Sequence, residues 1–308
     1  MRVRAVFILM FDVMEEQKIH DEAQTAESAE IAYSTLFQFT EGEGCDALAV
    51  ADFVSIFIPS RSSMYFMFSS SSIPTTALLV FLSVAPGLLI AWFVYTRDRY
   101  DKEPRHLLVW SFVLGMFGVI PPVVVEMVLN MFGFDKSQSV VHLFAHAFFV
   151  VALVEEATKF AVLRSYAYTK PDFDEPFDGI TYSVMIAMGF ATVENMMYVL
   201  ANNAAGPSFQ TALWRMFTAV PAHAANGILM GYYTGLAKFS RHESPLLFTA
   251  FMAALVAHGL YDFFIFLNRP GLIILGAFAV LLIVITLSIR AMRLHTMNSP
   301  FRTKASEE

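Results

Sequence analysis

The chain has 308 residues, of which 56% are hydrophobic and only 15% are charged, with 31 Phe and 17 Met. Because soluble domains average about a quarter charged residues, this composition excludes a single water-soluble globule and a disordered protein. The sequence contains no block of basic residues, which also excludes a nucleic-acid-binding protein. We therefore expect a membrane protein.

The first 71 residues differ in charge from the rest of the chain. Residues 1–71 contain eleven acidic and four basic residues, which accounts for the whole net charge of −7, because residues 72–308 contain sixteen of each. The single cysteine, Cys45, lies in this tail, so an intrachain disulfide is excluded. The tail has no apolar run long enough to span a bilayer. The tail is either an acidic domain, ordered or disordered, or an extension upstream of a true translation start at Met64 or Met67.

Residues 72–294 predict an all-α, polytopic membrane domain, and residues 295–308 a C-terminal tail. Runs of about 20 apolar residues, the length of a transmembrane helix, recur along this region and are separated by short loops rich in turn residues. We expect about seven transmembrane helices that form a bundle with a buried polar site. The predicted spans are roughly Thr75–Tyr95, Leu107–Phe132, Val140–Tyr166, Gly179–Ala201, Thr211–Ala237, Pro245–Leu267 and Gly271–Arg293.

The distribution of Lys and Arg near the span ends predicts the orientation of these helices. One set of alternate loops, together with the C-terminal tail, carries twelve of these residues, whereas the opposite side carries three, namely Lys136, Arg215 and Arg269. Cytoplasmic loops of membrane proteins are enriched in Lys and Arg. We therefore expect an odd number of spans in the cell membrane and a cytoplasmic C-terminus.

Several ionisable residues lie inside the predicted spans, although each costs roughly 2.5–3.5 kcal/mol near the bilayer centre on insertion scales. They are Glu126, Glu155, Glu156, Lys159, Glu194, His223, His258 and Asp262. Such residues indicate a functional polar site. We leave Glu126 out of this site, because it follows Pro121 and Pro122 and fits a kinked helix or a pore lining.

Four of these residues are expected at similar depth in the membrane. At a rise of about 1.5 Å per residue, Glu155, Glu194, His223 and His258 each lie about 18 to 22 Å from one end of their span. The four spans are consecutive and alternate in direction, so all four side chains fall near mid-bilayer. We expect them to converge on one buried cavity.

Helical spacing links some of these residues to each other. Glu155 and Lys159 form an i,i+4 pair on one helical face, and the i,i+4 spacing of His258 and Asp262 allows the acid to fix the tautomer of the histidine. Glu156 is rotated by about 100° from Glu155, so we expect the two acids not to face the site equally. Two other interpretations stay open, a structural ion pair and hydrogen-bonded core histidines.

Acids and histidines in a dry cavity are suited to the activation of water. A desolvated carboxylate can act as a general base, and two histidines with a carboxylate can hold a catalytic zinc ion. The sequence lacks His-Glu-x-x-His, Gly-x-Ser-Gly and Gly-x-Gly-Asp, which argues against zincin-like, serine and presenilin-type aspartyl proteases. The alternatives are a proton-coupled transporter that uses the same residues, although no internal repeat is visible, and a non-catalytic membrane scaffold.

The order of these residues resembles the PrsW family of intramembrane proteases. The motifs are Tyr95-x-x-Asp98-Arg99-Tyr100-x-x-Glu103-Pro104, Glu155-Glu156-x-x-Lys159, Phe177-Asp178-Gly179-Ile180-x-Tyr182, Gly189-Phe190-Ala191-x-x-Glu194-Asn195-x-x-Tyr198, His223 with Gly227 and Gly231-Tyr232, and His258-Gly259-x-x-Asp262. They cover about Thr75–Leu267. The sequence is also distantly similar to the CAAX-prenyl endopeptidase superfamily, which shares the paired glutamates and the two histidine helices.

The resemblance implies a multi-pass bacterial membrane peptidase that acts on a membrane-anchored protein, for example an anti-sigma factor. It implies catalytic roles for Glu155, Glu156, His223 and His258, and it places Glu194 in an accompanying motif. We expect Glu155 to be the general base on water, supported by His223. His258 and Glu194 either complete a metal site with His223, for which zinc is the candidate ion, or stabilise the oxyanion.

Overall fold

The computed structural model of the chain describes residues 72–131, 139–203 and 208–302. The predicted acidic tail, residues 1–71, lies outside the described residues. Within the described ranges every regular element is helical, which confirms the all-α prediction for this part of the chain. The helices are α1 (Ser72–Arg97), α2 (Arg105–Phe117), α3 (Ile120–Met131), α4 (Val140–Ala167), α5 (Pro176–Asn203), α6 (Ser208–Phe217), α7 (Ala219–Lys238), α8 (Glu243–Phe266) and, after short helical turns at Pro270–Leu272 and Ile273–Ala277, α9 (Phe278–Met297).

Five segments of the described residues are long and apolar enough to cross a membrane, which supports a multi-pass membrane protein. They are Ala77–Arg97, Arg105–Leu129, Val140–Ala167, Glu243–Phe266 and Leu275–Met297. Helices α5 and α7, which cover most of the two remaining predicted spans, are not among the five. Both are nevertheless about 30 Å long or more at 1.5 Å per residue.

Helix α5 lies at the centre of the helical domain. Residues 177–192 are all buried, and α5 packs against α2 on one side and against α7 on the other. Glycines bring the backbones close, because a Cβ atom at Gly231 of α7 would overlap the backbone at Gly179, and one at Gly189 would overlap the backbone at Phe112. Since α5 and α7 face protein more than lipid, they can carry polar side chains that would be costly against lipid.

Two of the predicted spans, Thr211–Ala237 and Leu107–Phe132, are each divided into two helices in the structure. Helix α6 ends at Phe217 and α7 begins at Ala219. Pro221 has no N–H to bond the carbonyl of Phe217 and is tolerated only in the first turn of a helix. The predicted span Leu107–Phe132 is likewise divided into α2 and α3, immediately before Pro121 and Pro122.

The predicted span Val140–Tyr166 is a helix with two π-helical segments, at His146–Ala152 and Leu163–Ala167. They flank the regular α-helical segment Leu153–Val162, which carries Glu155 and Glu156. Such local changes of helical pitch occur frequently at functional sites.

Candidate active site

The side chain of Lys159 lies between the paired glutamates of α4. Its Nζ atom donates to Oε2 of Glu155 at 3.0 Å and to Oε1 of Glu156 at 2.8 Å. All three residues are at most 5% exposed. Because Lys159 is three residues after one acid and four after the other, it reaches both, so Glu155 and Glu156 face the same cation. This differs from the expectation that the two acids would not face the site equally.

His258 of α8 contacts carboxylates through both of its ring nitrogens. Its Nδ1 atom lies 2.7 Å from Oε1 of Glu156, and its Nε2 atom lies 3.1 Å from Oδ2 of Asp262 and 4.0 Å from Oε2 of Glu155. The contact with Asp262 follows from the i,i+4 spacing on one helix, whereas the contact with Glu156 joins α8 to α4. These two acids fix the orientation of the imidazole.

His223 of α7 lies on the other side of the Lys159 ammonium group. Its Nδ1 atom is 3.3 Å from Nζ of Lys159, and its Nε2 atom is 2.7 Å from Oε2 of Glu194 on α5. An ammonium group can only donate, so Nδ1 accepts and Nε2 carries the proton that is donated to Glu194. The rings of His223 and His258 are 5.4 Å apart between centroids and nearly perpendicular, at 86°.

Glu194 in turn is bound by an arginine from α6. Its Oε1 atom lies 2.9 Å from a terminal guanidinium nitrogen of Arg215, whose Nε–H donates to Oδ1 of Asn195 at 2.6 Å. The guanidinium group also lies 4.0 Å from the ring centroid of Tyr198. Arg215 therefore connects the short helix α6 to two successive turns of α5. Sequence reasoning gave it no role in the site, although a basic residue inside a predicted apolar span was a signal.

Glu155, Glu156, His223 and His258 could together hold a metal ion. One potential ligand atom from each of these buried residues lies within 4.8 Å of the other three. Two imidazoles and two carboxylates are a donor set that suits zinc, so the residues fit the ion expected from the sequence. The ammonium group of Lys159 contacts three of the four residues, and a metal ion at this place requires that it move aside.

The charges of this cluster do not balance without a further cation or proton. Four carboxylates, those of Glu155, Glu156, Glu194 and Asp262, form ion pairs or hydrogen bonds within the cluster, against the two fixed cations Lys159 and Arg215. Isolated charge is costly in a buried setting. The arrangement therefore favours bound protons or a divalent cation.

The structure brings together every candidate site residue that the sequence indicated. Glu155, Glu156, His223 and His258 form the group described above, and Glu194 contacts His223 from outside it. The catalytic and metal-binding roles of these residues stay predictions. His142 and His146 stack on each other in α4, outside this group.

Comparison with known proteins identifies a family that matches this chain. Residues 103–289 match the family described as PrsW family intramembrane metalloprotease. The chain is similar to Protease PrsW of Geobacillus kaustophilus, with 36% identity over 60% of this chain and 78% of the relative. It is also similar to Protease PrsW of Oceanobacillus iheyensis (33%, over 66% and 90%) and of Bacillus subtilis (32%, over 60% and 81%). No solved structure gives a significant match.

Proposed function

This chain belongs to the PrsW family of intramembrane metalloproteases, and from that premise we propose that it hydrolyses a peptide bond in a membrane-anchored protein at the site around Glu155. Its membership makes it a membrane protease, and it does not favour the transporter alternative. The observation that carries the proposal is the buried group of two glutamates and two histidines, contributed by α4, α7 and α8. An anti-sigma factor is the substrate class that we propose from the resemblance of the motifs.

We propose that Glu155 is the general base that takes a proton from water. Its carboxylate is buried and is held by Lys159 at 3.0 Å, so it is oriented before substrate binds. The same ammonium group can later stabilise negative charge that develops on the scissile carbonyl oxygen, as pre-oriented donors do in acyl transfer. Glu155, once it has taken the proton from water, is placed to return it to the leaving amine.

We propose that Glu156, His223 and His258 would hold the metal ion and leave Glu155 free. The bound metal would supply a Lewis acid and lower the pKa of a bound water. In this arrangement the ring nitrogen of His223 that would bind the metal is Nδ1, because Nε2 already bonds Glu194. We therefore assign Glu194 the role of orienting His223 through that bond, as outer carboxylates commonly do for metal-binding histidines, in place of the ligand role that the sequence suggested.

We propose that α5 and α7 also cross the membrane, which gives the seven spans predicted from the sequence, with the C-terminus in the cytoplasm of the bacterial cell. Reporter fusions after Pro104, Asp174, Arg241 and Pro300 should then all report a cytoplasmic position. Opposite signals from the fusions after Pro104 and Asp174 would contradict this topology. The distant relationship to CAAX-prenyl endopeptidases is likewise our proposal, and it rests on the paired glutamates and the two histidine helices.

The proteolytic function can be tested before any substrate is identified. Membranes from bacteria that express the wild-type chain or the Glu155→Gln variant are compared by mass spectrometry of protein N-termini, at matched abundance of the two proteins. We expect new N-termini within or beside the membrane segments of single-span proteins in the wild type alone. Identical N-termini in both strains would overturn the proposal.

A further inference from the structure

A second cluster of buried acids lies outside the active site, where the loop between α1 and α2 meets the start of α5. Asp98 and Glu103 belong to this loop, Glu175 immediately precedes α5, and Asp178 lies in its first turn. Asp98, Glu175 and Asp178 are each 1% exposed, and Glu103 is 5% exposed. Asp98, Glu103 and Asp178 are part of the motifs described above, yet the proposed reaction gives them no role.

Asp178 and Glu103 each have several hydrogen-bond partners within the protein. Oδ2 of Asp178 accepts backbone N–H bonds from Asp174 at 2.8 Å and from Glu175 at 2.7 Å, which caps the start of α5. The Tyr182 hydroxyl donates to Oε2 of Glu103. The side chains of Glu103 and Asp178 are also hydrogen-bonded to each other.

The other two carboxyl groups keep free oxygen atoms. Neither Oδ1 nor Oδ2 of Asp98 has a hydrogen-bond partner in the described part of the chain, and Oε2 of Glu175 also lacks one. Asp98 interacts electrostatically with both Glu175 and Glu103, and it is shielded from bulk water. A buried carboxylate without a partner is unfavourable, so these oxygens require either bound protons or positive charge from a cation.

Lysines near this cluster do not supply that charge. Lys102 is exposed and its ammonium group lies over the ring of Tyr95, 4.7 Å from the centroid. Lys238 interacts electrostatically with Asp178, but its ammonium group donates to the backbone carbonyl of Tyr168. Among the described residues, no ion pair joins a base to any of the four acids.

We propose that Asp98, Glu175 and Glu103 form a binding site for a hard divalent cation, Mg²⁺ or Ca²⁺, separate from the active site. Carboxylate oxygens are the ligands that both ions prefer in proteins, and the free oxygens of Asp98 and Glu175 are available for this purpose. Among the described residues, only the active-site group has its donor atoms already within 4.8 Å of one another. The cation therefore draws these carboxylates together or binds them through water, which Mg²⁺ commonly retains.

The site would join three parts of the chain that are distant in sequence. Asp98 and Glu103 belong to the loop after α1, and Glu175 precedes α5 and is hydrogen-bonded to the side chain of Ser299, which follows α9. A cation that binds only the folded arrangement stabilises the protein by mass action. It fixes the start of the central helix α5 without taking part in peptide hydrolysis.

The test is thermal unfolding of the full-length protein in detergent, first freed of metal with a chelator and then titrated with MgCl₂ or CaCl₂ at pH 8. We expect Tm to rise to a plateau with at least one of the two salts, and not with NaCl at matched ionic strength. Asp98→Asn, which keeps the shape and removes the charge, should abolish the rise. Glu155→Gln, which alters the active site, should leave it intact.

Equilibrium dialysis with radioactive Ca²⁺ gives a second readout if Asp98→Asn does not fold. In the Glu155→Gln background we expect saturable binding that excess Mg²⁺ or Glu175→Gln reduces severalfold. No salt-dependent rise in Tm together with no bound Ca²⁺ would overturn the proposal and leave a cluster that binds only protons. An equal rise in Tm for wild type and Asp98→Asn would also overturn it.

Discussion

The Nζ atom of Lys159 lies 3.3 Å from Nδ1 of His223, on a different helix, while the same atom contacts both carboxylates of the glutamate pair. A fixed cation thus contacts three of the four residues that could together hold a metal ion. It explains how two adjacent glutamates can be buried together, and it sets the condition for metal binding, namely that the ammonium group moves aside.

Glu155→Gln should abolish proteolysis while the abundance of the protein stays close to that of the wild type. The amide preserves the shape of the side chain but cannot take a proton from water. The measurement is cleavage of a single-span reporter in membranes, normalised to the amount of protease. Glu243→Gln is the control, because this acid contacts Arg164 and Tyr168 at the start of α8 and lies outside the site. If Glu155→Gln cleaves normally, Glu155 has no catalytic role.

His223→Ala and His258→Ala should each remove most of the activity, and the double variant should be little worse than either. The two rings are 5.4 Å apart, and residues that act as a unit give losses that are far from additive. Turnover of the reporter is measured together with bound zinc by elemental analysis, with His142→Ala as the control. If zinc is the cofactor, each single variant should lose it. Losses that add in stability, with zinc retained, would instead indicate independent structural histidines.

Lys159→Met should destabilise the metal-free protein, because two buried carboxylates lose their cation. Removal of one partner from a buried ion pair typically costs about 3–5 kcal/mol. We expect a clear fall in Tm in the presence of a chelator. Addition of Zn²⁺ should then raise the Tm of the variant more than that of the wild type, because the ion no longer competes with the ammonium group. An unchanged Tm in chelator would show that Glu155 and Glu156 do not depend on Lys159 for their burial.

Arg215→Gln should lower turnover more than substrate affinity, because Arg215 acts on the site only through Glu194. The variant leaves Glu194 with His223 as its remaining partner and allows both side chains to move. Arg215→Lys should recover part of the activity, since lysine restores the charge but cannot bond Glu194 and Asn195 in the same planar geometry. Kinetics in proteoliposomes give kcat and KM separately. Equal kcat values for wild type and Arg215→Gln would remove this positioning role.

The stability of the metal-free protein should fall as the pH rises from about 4 to 8. Burial raises the pKa of Asp98 to about 8. The nearby acids Glu175, Glu103 and Asp101 add to this rise, and Lys102 opposes it. Burial also raises the pKa of Glu103 to about 7. Because both folded-state values exceed the unfolded ones, the folded protein binds more protons in this window, and each group contributes a slope of up to about 1.4 kcal/mol per pH unit.

Thermal unfolding in chelator across this pH range measures that effect. Asp98→Asn should reduce the fall in Tm with rising pH, because the amide does not titrate. Asp101→Asn, in the exposed part of the same loop, is the matched control. A wild-type Tm that rises between pH 5 and 8 would contradict the raised pKa values of Asp98 and Glu103.

Some features of this protein could be read from the sequence because their causes are local. Apolar length marks a membrane helix wherever the helix faces lipid, and the five segments that meet this criterion were all predicted. The pairs Glu155 with Lys159 and His258 with Asp262 follow from helical spacing alone. The break before Pro221 has a local cause as well, the missing N–H of proline.

Other features depend on the tertiary structure, because contacts between helices require their relative rotation and distance. The close approach of α5 to α7, set where Gly179 meets Gly231, brings Glu194 against His223, and α6 then carries Arg215 to Glu194. No local pattern relates these positions. Asp98 and Glu175 interact electrostatically for the same reason, since Asp98 follows α1 and Glu175 precedes α5. The sequence by itself determined which groups must be kept from lipid, whereas helix packing decided which of them contact one another.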